Sequence, residues 1–225
     1  MELVLKPVSA DVNYFASFKE PIIFLDDKGD LKPSLVKKIL KTFQLRLNDI
    51  KFNDQLPSND YIHFYKFFGQ CILDVSLGLE EVAARVGMPL NEEQVADLLS
   101  RLTKIIEDYP ITFQRIGVQR HLETEGDVEK YLTSLNPKVP NNLQKYLSGR
   151  GVIYNFDLPD HKLKIQSIIT NSLIVDNGIY FFTEFSFSPN MYDFDGTYKV
   201  VKTQYEFLLN ELNLKIEDEG KNANT

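Results

Sequence analysis

The sequence predicts an α+β fold in which an antiparallel-rich sheet is packed by three main amphipathic helices. Three observations carry that prediction. Apolar and polar residues alternate with period two in several runs, three longer segments show helical three-and-four spacing, and Asp176-Asn177-Gly178 separates two apolar runs between Ile165 and Ser188. Asn-Gly accepts positive φ at both central positions of a type I′ turn, so these runs read as a β-hairpin centred on Asn177 and Gly178. Beyond the turn, Ile179, Phe181, Phe185 and Phe187 share one parity while Glu184, Ser186 and Ser188 share the other, which gives this strand one buried and one wet face.

Composition bounds the function. A chain of 225 residues suits a single domain, expected over 1–216, and at this length roughly 70% of the unfolded surface is buried on folding. With 43% hydrophobic and 25% charged residues, disorder is expected only in the polar tail, 217–225. A formal charge of −7 supplies no general attraction for nucleic acid or anionic lipid, so any such contact is left to a local patch. The single cysteine, Cys71, excludes an intrachain disulfide and a thiolate zinc site. No charged and apolar leader opens the chain and no run is long enough for a membrane span, so a cytoplasmic location without membrane contact is expected.

In chain order, Glu2 to Val8 and Ile22 to Leu25 are short apolar runs bounded by Pro7, Pro21 and the Asp26–Asp30 turn, and read as strands. Leu35, Ile39, Phe43 and Leu47 recur every four residues behind Pro33, which predicts an amphipathic helix over 33–48. Its polar face carries Lys37, Lys38, Lys41 and Arg46, a solvated face that could also meet phosphate. Tyr61 to Phe68 and Gln70 to Leu79 form the next strand pair, joined near Gly69, with Cys71 on the apolar parity as an inert core thiol.

The segment from Glu81 to Leu102 offers two readings. Ala83 and Gly87 resemble the first helix and turn of a helix-turn-helix, but Asn91-Glu92-Glu93 would put negative charge at the start of the recognition helix, where a DNA reader needs donors and cations. A core-packing helix capped near Asn91, with Val95, Leu98, Leu102, Ile105 and Ile106 on one face, explains the same letters. The strand Ile111 to Leu122 follows. Ile116, Val118 and Leu122 share its apolar face, while Arg115, Gln119 and His121 share the other, where they could bind an anion or a partner. Asp127 to Leu135 and Asn141 to Leu147 read as short helices, Gly149-Arg150-Gly151 as a turn, and Val152 to Phe156 and Lys162 to Ile169 as strands.

Asp193-Phe194-Asp195-Gly196-Thr197 resembles the DxDGT signature of the haloacid-dehalogenase-like phosphatases, in which the first aspartate is the nucleophile and the second the acid/base. That chemistry needs the signature at the end of a buried parallel strand. Here Ser188-Pro189-Asn190 interrupts the preceding run, so Asp195 or Thr197 is read as capping a last helix from about Tyr198 to Leu214.

From Gln94 onward the order of elements is similar to a sporadically distributed family of uncharacterised bacterial proteins: a helix, the strand Arg115 to Glu123, an apolar strand before an acidic pair, and a last amphipathic helix. Arg115, Ile116 and Gly117 carry the match in letters, and Gln119-Arg120-His121 departs from the family's pattern. The order also resembles one or two copies of the SecB-chaperone-like strand, strand, helix plan. This resemblance, over roughly 92–214, implies no catalytic residues, metal or cofactor. With the abundant aromatics it favours a non-enzymatic bacterial protein-interaction or chaperone-like subunit, set in a phage-defence or mobile-element system, with a protein partner or a homo-oligomer. A nucleic-acid accessory using Lys37, Lys38 and Lys41, and a magnesium-dependent phosphatase, are the alternatives.

Overall fold

Alternation of period two becomes a sheet, and three-and-four spacing becomes the helices laid on it. The computed structural model describes residues 2–22, 32–52, 62–88, 92–135, 149–159, 162–187 and 194–217. In order these form β1 (Leu3–Phe18), α1 (Pro33–Phe43), a short 3-10 turn (Leu47–Asp49), β2 (Ile50–Phe52), β3 (Ile62–Phe68), β4 (Cys71–Leu77), β5 (Glu81–Gly87) and α2 (Glu92–Ile106). Then come β6 (Ile111–Glu123), α3 (Val128–Leu135), β7 (Gly151–Leu158), β8 (Leu163–Asn171), β9 (Gly178–Phe187), α4 (Phe194–Glu211) and β10 (Leu214–Ile216). The ten strands form a largely antiparallel sheet in the order β2-β3-β4-β5-β1-β6-β9-β8-β7, with β10 added to β1 in parallel. The fold is thus α+β, with four α-helices among the described residues, of which α3 stands where the short helix Asp127 to Leu135 was expected.

The chain divides into two compact units, and the long strands β1 and β6 contribute one half to each. The unit of residues 12–116 and 186–198 is built on β2 to β5. Ile62 and Phe64 of β3 and Cys71, Leu73, Val75 and Leu77 of β4 are buried on one face of this meander, and the register places Phe64 opposite Val75 and Ile62 opposite Leu77. Helix α1 seals that face with Leu35, Ile39 and Phe43, the Phe43 ring lying 5.2 Å from that of Phe64. Each such side chain contributes about 1.5–3 kcal/mol of transfer free energy when fully buried. Helix α2 adds Val95, Leu98, Leu102, Ile105 and Ile106, the stripe predicted from spacing. Burial also raises the pKa of the Cys71 thiol, as suits a core thiol.

Several sequence expectations fail here for local reasons. Helix α1 starts at Pro33 as predicted but stops at Phe43, because Gln44 turns left-handed with φ 52° and Leu45 returns its N–H to the Leu40 carbonyl. Leu47 is therefore not on the buried stripe; it is 58% exposed. Residues 81–87, the would-be first helix of a helix-turn-helix, are strand β5, paired antiparallel with β4. Strand β1 does not end at Val8 but runs on to Phe18. Its buried residues change from odd positions (Leu3, Leu5) to even ones (Val12, Tyr14, Ala16, Phe18). The change falls where the strand passes from one unit to the other, and Pro7, which cannot donate to a ladder, lies in the stretch between the two buried sets. The strand expected from Ile22, the Asp26 turn and the Asn141 helix fall largely or wholly outside the described residues.

The other unit, of residues 1–11, 117–185 and 199–225, is organised around β9. Ile179, Phe181 and Phe185 are buried, as the alternation demanded, as is Phe187 of the first unit, and Thr183 lies among them, its hydroxyl 3.1 Å from that of buried Ser167 on β8. Pairing the two hydroxyls satisfies both polar groups in the core. Helix α4 lays Val201, Tyr205 and Leu208 on this face, with the Tyr205 ring stacked 5.6 Å from Phe181. It ends at Glu211, not Leu214. Asn213 takes φ 53°, and Leu214 then opens β10 opposite Leu3.

The hairpin between β8 and β9 differs from its prediction. The strands are separated by Ser172–Asn177, six residues, and neither Asn177 nor Gly178 has positive φ, so no type I′ turn forms. The Asn177 amide instead donates to the carbonyls of Thr124 (2.6 Å) and Gly126 (3.0 Å). The lack of a side chain at Gly178 allows close approach: a Cβ there would meet the Leu122 carbonyl oxygen and the Val175 side chain at 2.7 Å.

Candidate interaction surface

Because one face of the β2–β5 meander is sealed by α1 and α2, the opposite parity is left outward. On β3 that parity carries His63, Tyr65 and Phe67. Tyr65 and Phe67 are 54% and 60% exposed, their rings edge to face at 6.5 Å. Register sets their neighbours: Tyr65 faces Asp74 on β4, which faces Arg85 on β5, while Phe67 faces Ile72. His63 Nε2 lies 2.8 Å from Asp74 Oδ1. On β1 and β6 of the same unit, Phe15 and Phe113 meet edge to face at 6.4 Å, and the Arg115 guanidinium carbon lies 4.6 Å from the Phe15 ring centroid. Outward aromatics beside cations are the composition of protein-binding hot spots, because rigid rings offer large contact area at small entropy cost.

The residues singled out from sequence are distributed, not gathered. Arg115 belongs to the unit just described, whereas Gln119 and His121 belong to the other. Gln119 is half-buried on β6. His121 is half-buried too, its Nδ1 2.9 Å from the Ser172 hydroxyl and its ring 4.9 Å from that of Tyr180. The Ser172 oxygen accepts the N–H groups of Ile174 (3.2 Å) and Val175 (3.1 Å), so its own proton points to Nδ1 and the neutral imidazole carries its proton on Nε2. Burial lowers the His121 pKa, with Asp11 pulling the other way. This arrangement fastens the Ser172–Asn177 loop.

Lys37 and Lys41 are exposed on α1. Lys38 is not available as the middle of a basic strip. Its Nζ donates to Glu107 (3.0 Å) and lies 3.5 Å from Asp108; desolvation works against its charge, and the two carboxylates outweigh that and raise its pKa. Arg150 donates through Nε to Glu129 at 2.7 Å while its N–H bonds Asn171 Oδ1, as suits a turn. Of the phosphatase-like signature, Asp193 lies outside the described residues, and Asp195 and Thr197 fall within the first turn of α4, with Thr197 buried.

Sequence reasoning missed Tyr65 and Phe67 because residues 61–68 carry aromatics on both parities. The signal lay in the partner strand: β4 alternates cleanly, so once Ile72, Asp74 and Ser76 are wet, their register partners must be as well. Arg120 was missed too. It shares the parity of Val118 and Leu122, with its guanidinium carbon 5.5 Å from the Tyr205 ring centroid. No group of three or more His, Cys, Asp or Glu that could hold a metal ion occurs among the described residues, and none of the described helices is long and apolar enough to cross a membrane. No protein-family model matches the chain, and no curated protein matches its sequence.

Proposed function

We propose that this chain is a cytoplasmic protein-interaction subunit, chaperone-like in its use of an open sheet face, and that partners dock on the outward face of the β2–β5 meander. The observation that carries this reading is the pair Tyr65 and Phe67, more than half exposed side by side on β3, with the helices on the opposite face. Scattered exposed apolar residues are ordinary; adjacent aromatics within a sheet face rimmed by Arg85 and Lys51 are what a docking site requires. Membership of a phage-defence or mobile-element system belongs to the same proposal and rests on the resemblance alone.

Both side chains point outward, so replacing them tests docking separately from folding. Tagged wild-type protein and a Tyr65→Ser/Phe67→Ser double variant are purified from the native cell and their co-purifying proteins quantified by mass spectrometry. At least tenfold loss of a stoichiometric partner, with an unchanged melting temperature, is the expected result. Equal recovery with both proteins overturns the reading.

A further inference from the structure

One end of the unit built around β9 carries two exposed aliphatic side chains on a loop that is held in place. Leu173 is 96% exposed and Ile174 63%, although both belong to types that are usually buried. Ser172 accepts the N–H groups of Ile174 and Val175, its own N–H bonds the Gly178 carbonyl at 2.8 Å, and Asn177 ties the loop to residues 124 and 126. The Thr124 hydroxyl in turn donates to the Val4 carbonyl at 2.6 Å. Fixing a loop this way removes much of the entropy cost of presenting Leu173 and Ile174 to a partner. The two loops so joined, 124–127 and 172–177, hold three carboxylates, Glu125, Asp127 and Asp176, and no lysine or arginine.

The outward face carrying Tyr65 and Phe67 has the complementary character. Its strands present Lys51, Arg85 and Arg115 against Asp74 and Glu81, a positive balance on a chain whose net charge is −7. We infer that the acidic, aliphatic-tipped loop pair of one molecule docks on the aromatic, cation-rimmed sheet face of a second copy of this chain. The contact joins two different patches, so it is heterologous: a docked pair keeps one unused loop tip on one molecule and one unused face on the other, and association continues into chains unless the geometry closes a ring. This inference rests on the proposed interaction role of the sheet face and names the partner as the chain itself.

Sedimentation velocity on the purified full-length chain tests it without any other component. The wild type is expected to associate progressively with concentration, and less so at high salt, because opposite charges rim the contact. A loop variant, Leu173→Ser/Ile174→Ser, and a face variant, Tyr65→Ser/Phe67→Ser, should each remain monomeric. Mixed one to one they should form dimers, since the loop variant retains its face and the face variant its loop. Should either serine variant melt early, Glu125→Lys/Asp176→Lys replaces the loop variant and Lys51→Glu/Arg85→Glu the face variant. The charge-reversed pair should likewise be monomeric alone. A wild type that stays monomeric into the millimolar range overturns self-docking, as do variants that associate like wild type or a mixture that stays monomeric. A monomeric wild type that still co-purifies a different protein through Tyr65 and Phe67 sinks only the self-docking; loss of that capture result as well sinks the interaction reading beneath it.

Discussion

Strands β3 and β4 meet across Gly69-Gln70, where Gly69 has φ 66° and the place a Cβ would occupy has nothing within 4 Å. Strands β8 and β9 meet across Ser172–Asn177, where Gly178 has an ordinary φ and a Cβ would run into the Leu122 carbonyl oxygen and Val175. The first glycine serves backbone conformation; the second serves close approach. By sequence the second hairpin carries the stronger turn signal, since Asn-Gly is the favoured type I′ dipeptide, yet it is the first that has the tight positive-φ turn. The Asn177 side chain explains the reversal: by bonding the carbonyls of Thr124 and Gly126 it stabilises a longer loop packed on its neighbour, and tertiary hydrogen bonds outweigh local turn preference.

Substitutions can break this comparison. The largest effect is expected from Gly178→Ala, because the new methyl meets backbone that cannot give way cheaply; overpacking of this kind costs about 1–3 kcal/mol. Urea denaturation should show the loss, and a variant as stable as wild type would mean the close approach is not rigid. Gly69→Ala should cost about 1 kcal/mol, from placing a Cβ at positive φ and not from any clash. Gly69→Asn sharpens the point, since Asn tolerates that region and should recover part of the loss, whereas Gly178→Asn should be at least as damaging as Gly178→Ala.

The smallest effect is a pH dependence in the Ser172–Asn177 loop, which Gly69 and its turn lack. Burial lowers the folded-state pKa of His121, so as pH falls the unfolded chain takes up this proton first. The contribution of neutral His121 is therefore complete above its unfolded pKa of about 6.5 and declines as pH drops below it. Protonation also puts a hydrogen on Nδ1, facing the Ser172 hydroxyl proton. Thermal melts between pH 7.5 and 5 should fall less steeply for His121→Asn than for wild type; identical slopes would exclude His121 as their source.

What was legible in the sequence follows from the same physics. Strands with unbroken alternation (β4, β8, β9) and the helix with an unbroken stripe (α2) were readable because one face of each meets a core. Strand β5 was not, since Ala83 and Ala84 favour a helix, Gly87 reads as the turn after one, and only pairing with β4 decides its state. The second half of β1 was hidden by the parity change near Pro7, and β10 by its three-residue length. Among the candidate site residues, Arg115 was found because it stands opposite an apolar row, but its aromatic companion Phe15 lies 100 positions earlier in the chain. Lys38 could not be known as paired, because Glu107 and Asp108 reach it only through the packing of α2 beside α1.

The central claim is that the outward face of the β2–β5 meander is covered by another protein in the working assembly. Hydroxyl-radical footprinting of the natively isolated assembly against the purified chain, diluted until sedimentation shows it monomeric, addresses that claim directly, since Tyr65 and Phe67 react readily when exposed. Both should be strongly protected in the assembly, while Phe207 on α4, 54% exposed, should be labelled equally in the two samples. Equal labelling of Tyr65 and Phe67 with and without the assembly would contradict the account.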